Sequence, residues 1–153
     1  MDNNMENNTV IKELNTILKG EQMAVDSYSR FMEELEDERV KNEFRQIQQD
    51  HKDHVERLYR RIQELGGTPD TDTGFAGVMA DIKMAVQGLK RDSAEDVLRR
   101  AYEGENKGIS MVEEIKKGDL DEKSLGIVNS ILAEDYDHLN KMASMLSGYG
   151  YKH

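Results

Sequence analysis

The stretch Gln48-Gln49-Asp50-His51-Lys52-Asp53-His54-Val55-Glu56 sets two imidazoles one helical turn apart. Read outward, Val40, Phe44, Ile47, Leu58, Ile62 and Leu65 recur at spacings of three and four, and His51 and His54 fall on the same stripe. Both histidines are therefore predicted to point into a core. The pattern returns 84 residues later, where Leu125, Val128, Leu132, Met142 and Met145 draw a second stripe with Asp135 and His138 standing for His51 and His54.

The helix before each of these carries one inward acid. Glu21 interrupts the seam Leu14, Leu18, Val25, Tyr28, Met32 and Leu35, and Glu105 interrupts Leu98, Ala101, Ile109, Val112 and Ile115. Glu21 precedes His51 and His54 by 30 and 33 residues, and Glu105 precedes Asp135 and His138 by the same intervals. If each helix pair folds as an antiparallel hairpin, the turns fall at Glu36-Asp37-Glu38 and at Lys117-Gly118-Asp119-Leu120-Asp121, both rich in capping residues. All six polar side chains then share one height in a bundle of four helices.

Boundaries follow from the same local chemistry. Residues 1–8 are polar and read as a flexible tail, with Asn8 or Thr9 as the N-cap of the first helix. Leu65-Gly66-Gly67 ends the second helix and Pro69 prevents its return; Ser93 caps the third. Between them Phe75, Val78, Met79, Ile82, Ala85, Val86 and Leu89 fit one face of a short crossover helix. Residues 9–147 are expected to form one domain and 148–153 a second flexible tail. An all-α, antiparallel four-helix bundle with one long crossover is the expected fold.

Composition narrows the function. A chain of 153 residues with net charge −10 offers no basic patch for nucleic acid, and its acidity suits attraction of cations. With no cysteine, thiolate metal sites, disulfides and cysteine nucleophiles are excluded. No apolar run reaches the roughly 20 residues of a membrane span, and the polar start does not resemble a signal peptide, so a cytoplasmic protein without membrane partners is expected.

Three carboxylates buried among aliphatics need compensation, because an unpaired charge inside a protein costs several kcal/mol. Two arrangements supply it. One or two divalent ions can bind Glu21, His51, His54, Glu105, Asp135 and His138, or three protonated histidines can balance three acids without any ion. Tyr28 and Tyr102, near the inward glutamates, read first as core tyrosines that can also donate hydrogen bonds; Gln48 is a candidate support for His51. Asp70-Thr71-Asp72-Thr73-Gly74 begins like a calcium loop but lacks its closing glutamate.

The strings Lys19-Gly20-Glu21, Leu65-Gly66-Gly67-Thr68-Pro69-Asp70, Gly74-Phe75-Ala76-Gly77, Tyr102-Glu103-Gly104-Glu105 and Asp137-His138-Leu139 carry a resemblance. The chain is similar to the ferritin-like superfamily, and more closely to a bacterial family of ferritin-like four-helix bundles of unknown function related to rubrerythrin. The superfamily's di-iron pattern is one Glu from each of two helices and a Glu-x-x-His from each of the others. Glu21, Glu105, His54 and His138 match it, whereas His51 and Asp135 replace the two motif glutamates. The resemblance implies a divalent metal, with iron expected and zinc or manganese open, and, if the metal is iron, ferrous oxidation or oxygen and peroxide chemistry of the ferroxidase or peroxidase kind. It also leaves a homodimer open. The alternative is a non-catalytic bundle acting in stress response or partner binding, its polar cluster free of metal.

Overall fold

The computed structural model describes residues 2–71 and 93–150. Four helices follow in order: α1 (Asp2–Glu34), α2 (Glu38–Glu64), α3 (Ala94–Lys116) and α4 (Glu122–Gly150). The expected crossover helix from Phe75 to Leu89 lies outside the described residues. Helix α1 begins at Asp2 rather than after a cap at Asn8 or Thr9, and α4 runs through Gly148 to Gly150. Once a packed seam has nucleated a helix, each further residue costs little, and no proline or glycine breaks the chain before Lys19.

The helix ends are set by the residues that the sequence marks. Asp37 accepts from the backbone N–H groups of Arg39 and Val40 at the start of α2, and Ser93 accepts from that of Asp96 at the start of α3. At the end of α2, Gly66 N–H donates to Gln63 O and Gly67 N–H to Ile62 O, the paired bonds of a Schellman motif. Gly66 has φ of 85°, a left-handed conformation that a side chain would strain. Gly67 lies so close to Ile11 that a Cβ would stand 2.7 Å from its Cγ2. The chain then climbs along α1, where Asn15 holds both Thr68 O and Asp70 N–H and Lys19 pairs with Asp70 at 2.8 Å.

Cross-links between helices fix the topology. Arg100 pairs with Glu34 at 2.6 Å, placing the start of α3 beside the end of α1, and Arg61 pairs with Asp121 at 2.7 Å, placing the start of α4 beside the end of α2. Neighbours are thus antiparallel, with α1 packed most extensively on α2 and α3 on α4. Leu14, Leu18, Leu58, Ile62, Val112 and Val128 are buried toward one end of the bundle, and Leu35, Val40, Phe44, Leu98 and Met142 toward the other. Burying such a side chain contributes about 1.5–3 kcal/mol, so these two apolar layers carry the cost of the polar layer between them. No described helix is long and apolar enough to cross a membrane.

Candidate metal centre

Glu21, His51, His54, Glu105, Asp135 and His138 come from all four helices and meet in that middle layer, each at most 7% exposed. Their donor atoms form two groups, Glu21 with His51, His54 and Asp135, and Glu105 with His51, Asp135 and His138, within each of which the atoms lie inside 4.8 Å of one another. His51 Nδ1 is 2.6 Å from Glu21 Oε2 and its Nε2 2.5 Å from Glu105 Oε1. His54 Nδ1 is 3.1 Å from Glu21 Oε2, and His138 Nδ1 is 3.4 Å from Glu105 Oε1. Asp135 Oδ1 stands between the two histidines, 3.8 Å from one and 3.5 Å from the other.

The outward nitrogens of His54 and His138 are held by acids that the seam does not mark. Glu134 lies 3.1 Å from His54 Nε2, and Asp50 lies 2.8 Å from His138 Nε2. Each acid comes from the hairpin opposite its histidine, and the two occupy equivalent places in the repeat. A carboxylate on the outer nitrogen fixes the ring and leaves Nδ1 directed inward. Arg57 in turn anchors Glu134 at 2.8 Å. Tyr28 donates its hydroxyl to Glu105 at 2.8 Å and stacks on His51, whereas Tyr102 is half-buried at the edge of the core. Gln48 donates instead to Val25 O and to Ser29 Oγ, both 2.7 Å away, and so braces α2 on α1 rather than supporting His51.

Electrostatics follow the contacts. Burial alone would raise the Glu21 and Glu105 carboxyls, but His51 and His54 hold Glu21 below its ordinary range, and His138 and His51 bring Glu105 down to about 2. Burial works against charge on His51 as well, yet its contacts with Glu105 and Glu21 raise it well above the usual imidazole value. His54 and His138 are raised too, by Glu21 and Glu105 respectively against the same burial effect. Asp135 is pushed up to about 7, by burial first and then by the charges of Glu21 and Glu105.

Two buried atoms bear on whether a metal fits. Among the described residues Asp135 Oδ1 and His138 Nδ1 have no hydrogen-bond partner, although they lie 3.5 Å apart and both point into the cluster. Leaving buried polar atoms without a hydrogen bond costs up to about 1–3 kcal/mol each, and a carboxylate oxygen converging with imidazole nitrogens is a donor set for iron, zinc or manganese. The residues fit a divalent ion.

A cavity of about 540 Å³ between α1 and α3 reaches this layer. Glu21, Tyr28, His51, Glu105 and Asp135 contribute to its lining, together with Ala24, Phe31, Met111 and the small residues Gly20, Gly104 and Gly108. A Cβ on Gly104 or Gly108 would meet no described atom within 4 Å, so these glycines border open space.

Residues 9–118 match the family described as a domain of unknown function, DUF2383. The chain belongs to that family. No curated protein matches its sequence. Among solved structures it is similar to the dodecameric thioferritin of Bacteroides fragilis, at 22% identity and TM-score 0.76 over 95% of this chain and 89% of that one. It is likewise similar to the bacterioferritin of Desulfovibrio desulfuricans, a protein with a diiron site, at 21% identity and TM-score 0.76 over 95% and 82%. A two-domain protein of Anabaena variabilis with DJ-1/ThiJ/PfpI-like and ferritin-like domains matches at 19% identity and TM-score 0.78, with 94% of this chain covering 40% of that one. The fold of this DUF2383 member is ferritin-like.

Proposed function

We propose that this protein binds one or two divalent ions, iron foremost, through Glu21, His51, His54, Glu105, Asp135 and His138, and handles dioxygen or peroxide there. The observation that carries the reading is the buried couple of Asp135 Oδ1 and His138 Nδ1, neither hydrogen-bonded to any described residue, within two donor groups that together draw on all four described helices. The diiron site of the Desulfovibrio bacterioferritin, which shares the fold, supports it. Ferrous ions held here would supply electrons for reducing oxygen or peroxide. The chain's own groups do the rest: Glu134 and Asp50 hold the histidine rings, Tyr28 keeps a proton beside Glu105, and the α1–α3 cavity gives a small molecule access.

A second reading, a metal-free polar cluster in a partner-binding or stress-response bundle, is favoured by His51, whose protonated ring would satisfy Glu21 and Glu105 at once. Metal analysis of protein purified without chelators separates the two. Bound iron, zinc or manganese is expected, and a Glu21→Ala, Glu105→Ala variant should lose it; equal metal content in both would defeat the site. Aerobic addition of ferrous iron, followed by near-ultraviolet absorbance, should then proceed faster than in buffer alone.

A further inference from the structure

The three histidines of the cluster are not equivalent. His54 and His138 each turn one nitrogen inward and commit the other to an acid outside the donor set. Among the described residues His51 has no such outer partner, and its Nδ1 and Nε2 face Glu21 and Glu105, one acid from each donor group. The ring has little freedom to turn away. It is 3% exposed, stacks on Tyr28 with centroids 5.6 Å apart, and meets the edge of His54 at 5.4 Å.

A carboxylate at this position would offer two oxygens on one carbon and draw two ions together, as in sites with metals about 3.5–4 Å apart. An imidazole offers its two lone pairs on opposite edges of a ring. From this geometry we infer that His51 is a shared ligand: Nδ1 binds the ion held by Glu21 and His54, and Nε2 binds the ion held by Glu105 and His138. The inference rests on the metal-binding reading above and adds that two ions bind and that the ring joins them. Loading replaces both N–H bonds of the imidazolium with two metal–nitrogen bonds. Two protons leave to solvent and no electron is transferred. The two ions are then held apart by an aromatic ring, with Asp135 the one carboxylate common to both groups.

Copper(II) titration of the metal-free full-length chain tests this, with metal analysis and electron paramagnetic resonance as readouts. The wild type should take up two ions. The first should give an ordinary single-ion signal with imidazole nitrogen splitting, and the second should reduce the intensity per ion because the ring couples the pair. His51→Ala leaves Glu21 with His54 and Glu105 with His138, so it should still bind copper but recover full intensity per ion. Asp135→Asn should retain the coupling, which keeps the test decisive even if circular dichroism shows that His51→Ala is unfolded. Saturation at one ion, two uncoupled ions, coupling that survives in His51→Ala, or coupling lost in Asp135→Asn would overturn the shared ring. Absence of any bound copper in the wild type would instead overturn the metal site itself.

Discussion

The hairpin of α1 and α2 and the hairpin of α3 and α4 place the same kinds of side chain at the same height, offset by 84 residues, yet they treat the centre differently. Glu21 matches Glu105, His54 matches His138 and Asp50 matches Glu134, and these pairs make equivalent contacts. At the two remaining places the halves diverge. His51 faces Asp135, and Tyr28, whose hydroxyl reaches across to Glu105, faces Val112, which has nothing to offer Glu21. The first half therefore supplies a two-sided donor and a proton-bearing phenol, while the second supplies an acid that burial keeps partly protonated. Matching positions repeat the same contacts; mismatched ones make the two sides of the polar layer unlike.

The largest expected effect breaks this asymmetry directly. Glu105 contacts His51, lies near His138 and accepts from Tyr28, whereas among the described residues Glu21 contacts two histidines. Removing one partner of a buried ionic group costs about 3–5 kcal/mol, and Glu105→Ala should fall at the upper end and exceed Glu21→Ala. Denaturant unfolding of the two metal-free variants measures the difference; equal losses would mean that the halves are energetically alike.

Proton binding gives the next effect. The three histidines titrate above their ordinary 6.5 in the folded chain, so the stability they contribute is complete below that value and fades as pH rises through the raised values. Asp135 acts in the same sense, its neutral form persisting to about 7 instead of 3.8. The metal-free protein should thus melt at lower temperature as the solution becomes alkaline. Ligands already stripped of protons should make the ion-loaded form gain on it over the same range. A gap between the two melting curves that stays constant with pH would contradict this.

Smaller effects should come from the crossed acids. Asp50→Asn and Glu134→Gln should each weaken metal binding about 10–100-fold by loosening a histidine ring, as read by competition with a chelating dye. No change in either variant would show that the rings are held by packing alone. Least of all, the matched glycines should differ: Gly104→Ala meets no described atom and should stabilise the helix by up to about 1 kcal/mol, while Gly20→Ala brings its methyl 3.1 Å from Met111 Cε and should gain less. Thermal melting of the pair decides it.

Much of this was legible in the residues. Seam spacing indicated four helices, Asp37, Ser93 and Gly66 marked their ends, and Glu21, Glu105 and the histidines stood out because charged groups on an apolar stripe demand a reason. Asp50 and Glu134 were not singled out, since each sits one residue before a seam position, where an acid reads as solvent-facing. Their recurrence at the same offset as the inward residues was the available signal. Tyr28 and Tyr102 looked alike in sequence and separate only in space, because which tyrosine reaches a glutamate depends on the rotation of α1 against α3. The cavity was invisible for the same reason, being a property of the distance between two helices.

The crossed pairing of Asp50 with His138 and Glu134 with His54 bears on ancestry. A hairpin whose histidine depends on an acid from another hairpin is incomplete alone, but two identical copies meeting about a twofold axis would complete each other. Gene duplication and fusion of such an ancestor would keep that reciprocity, and would remove the requirement that both copies stay the same. Only after fusion does one half gain the freedom to carry a histidine where its twin carries an aspartate.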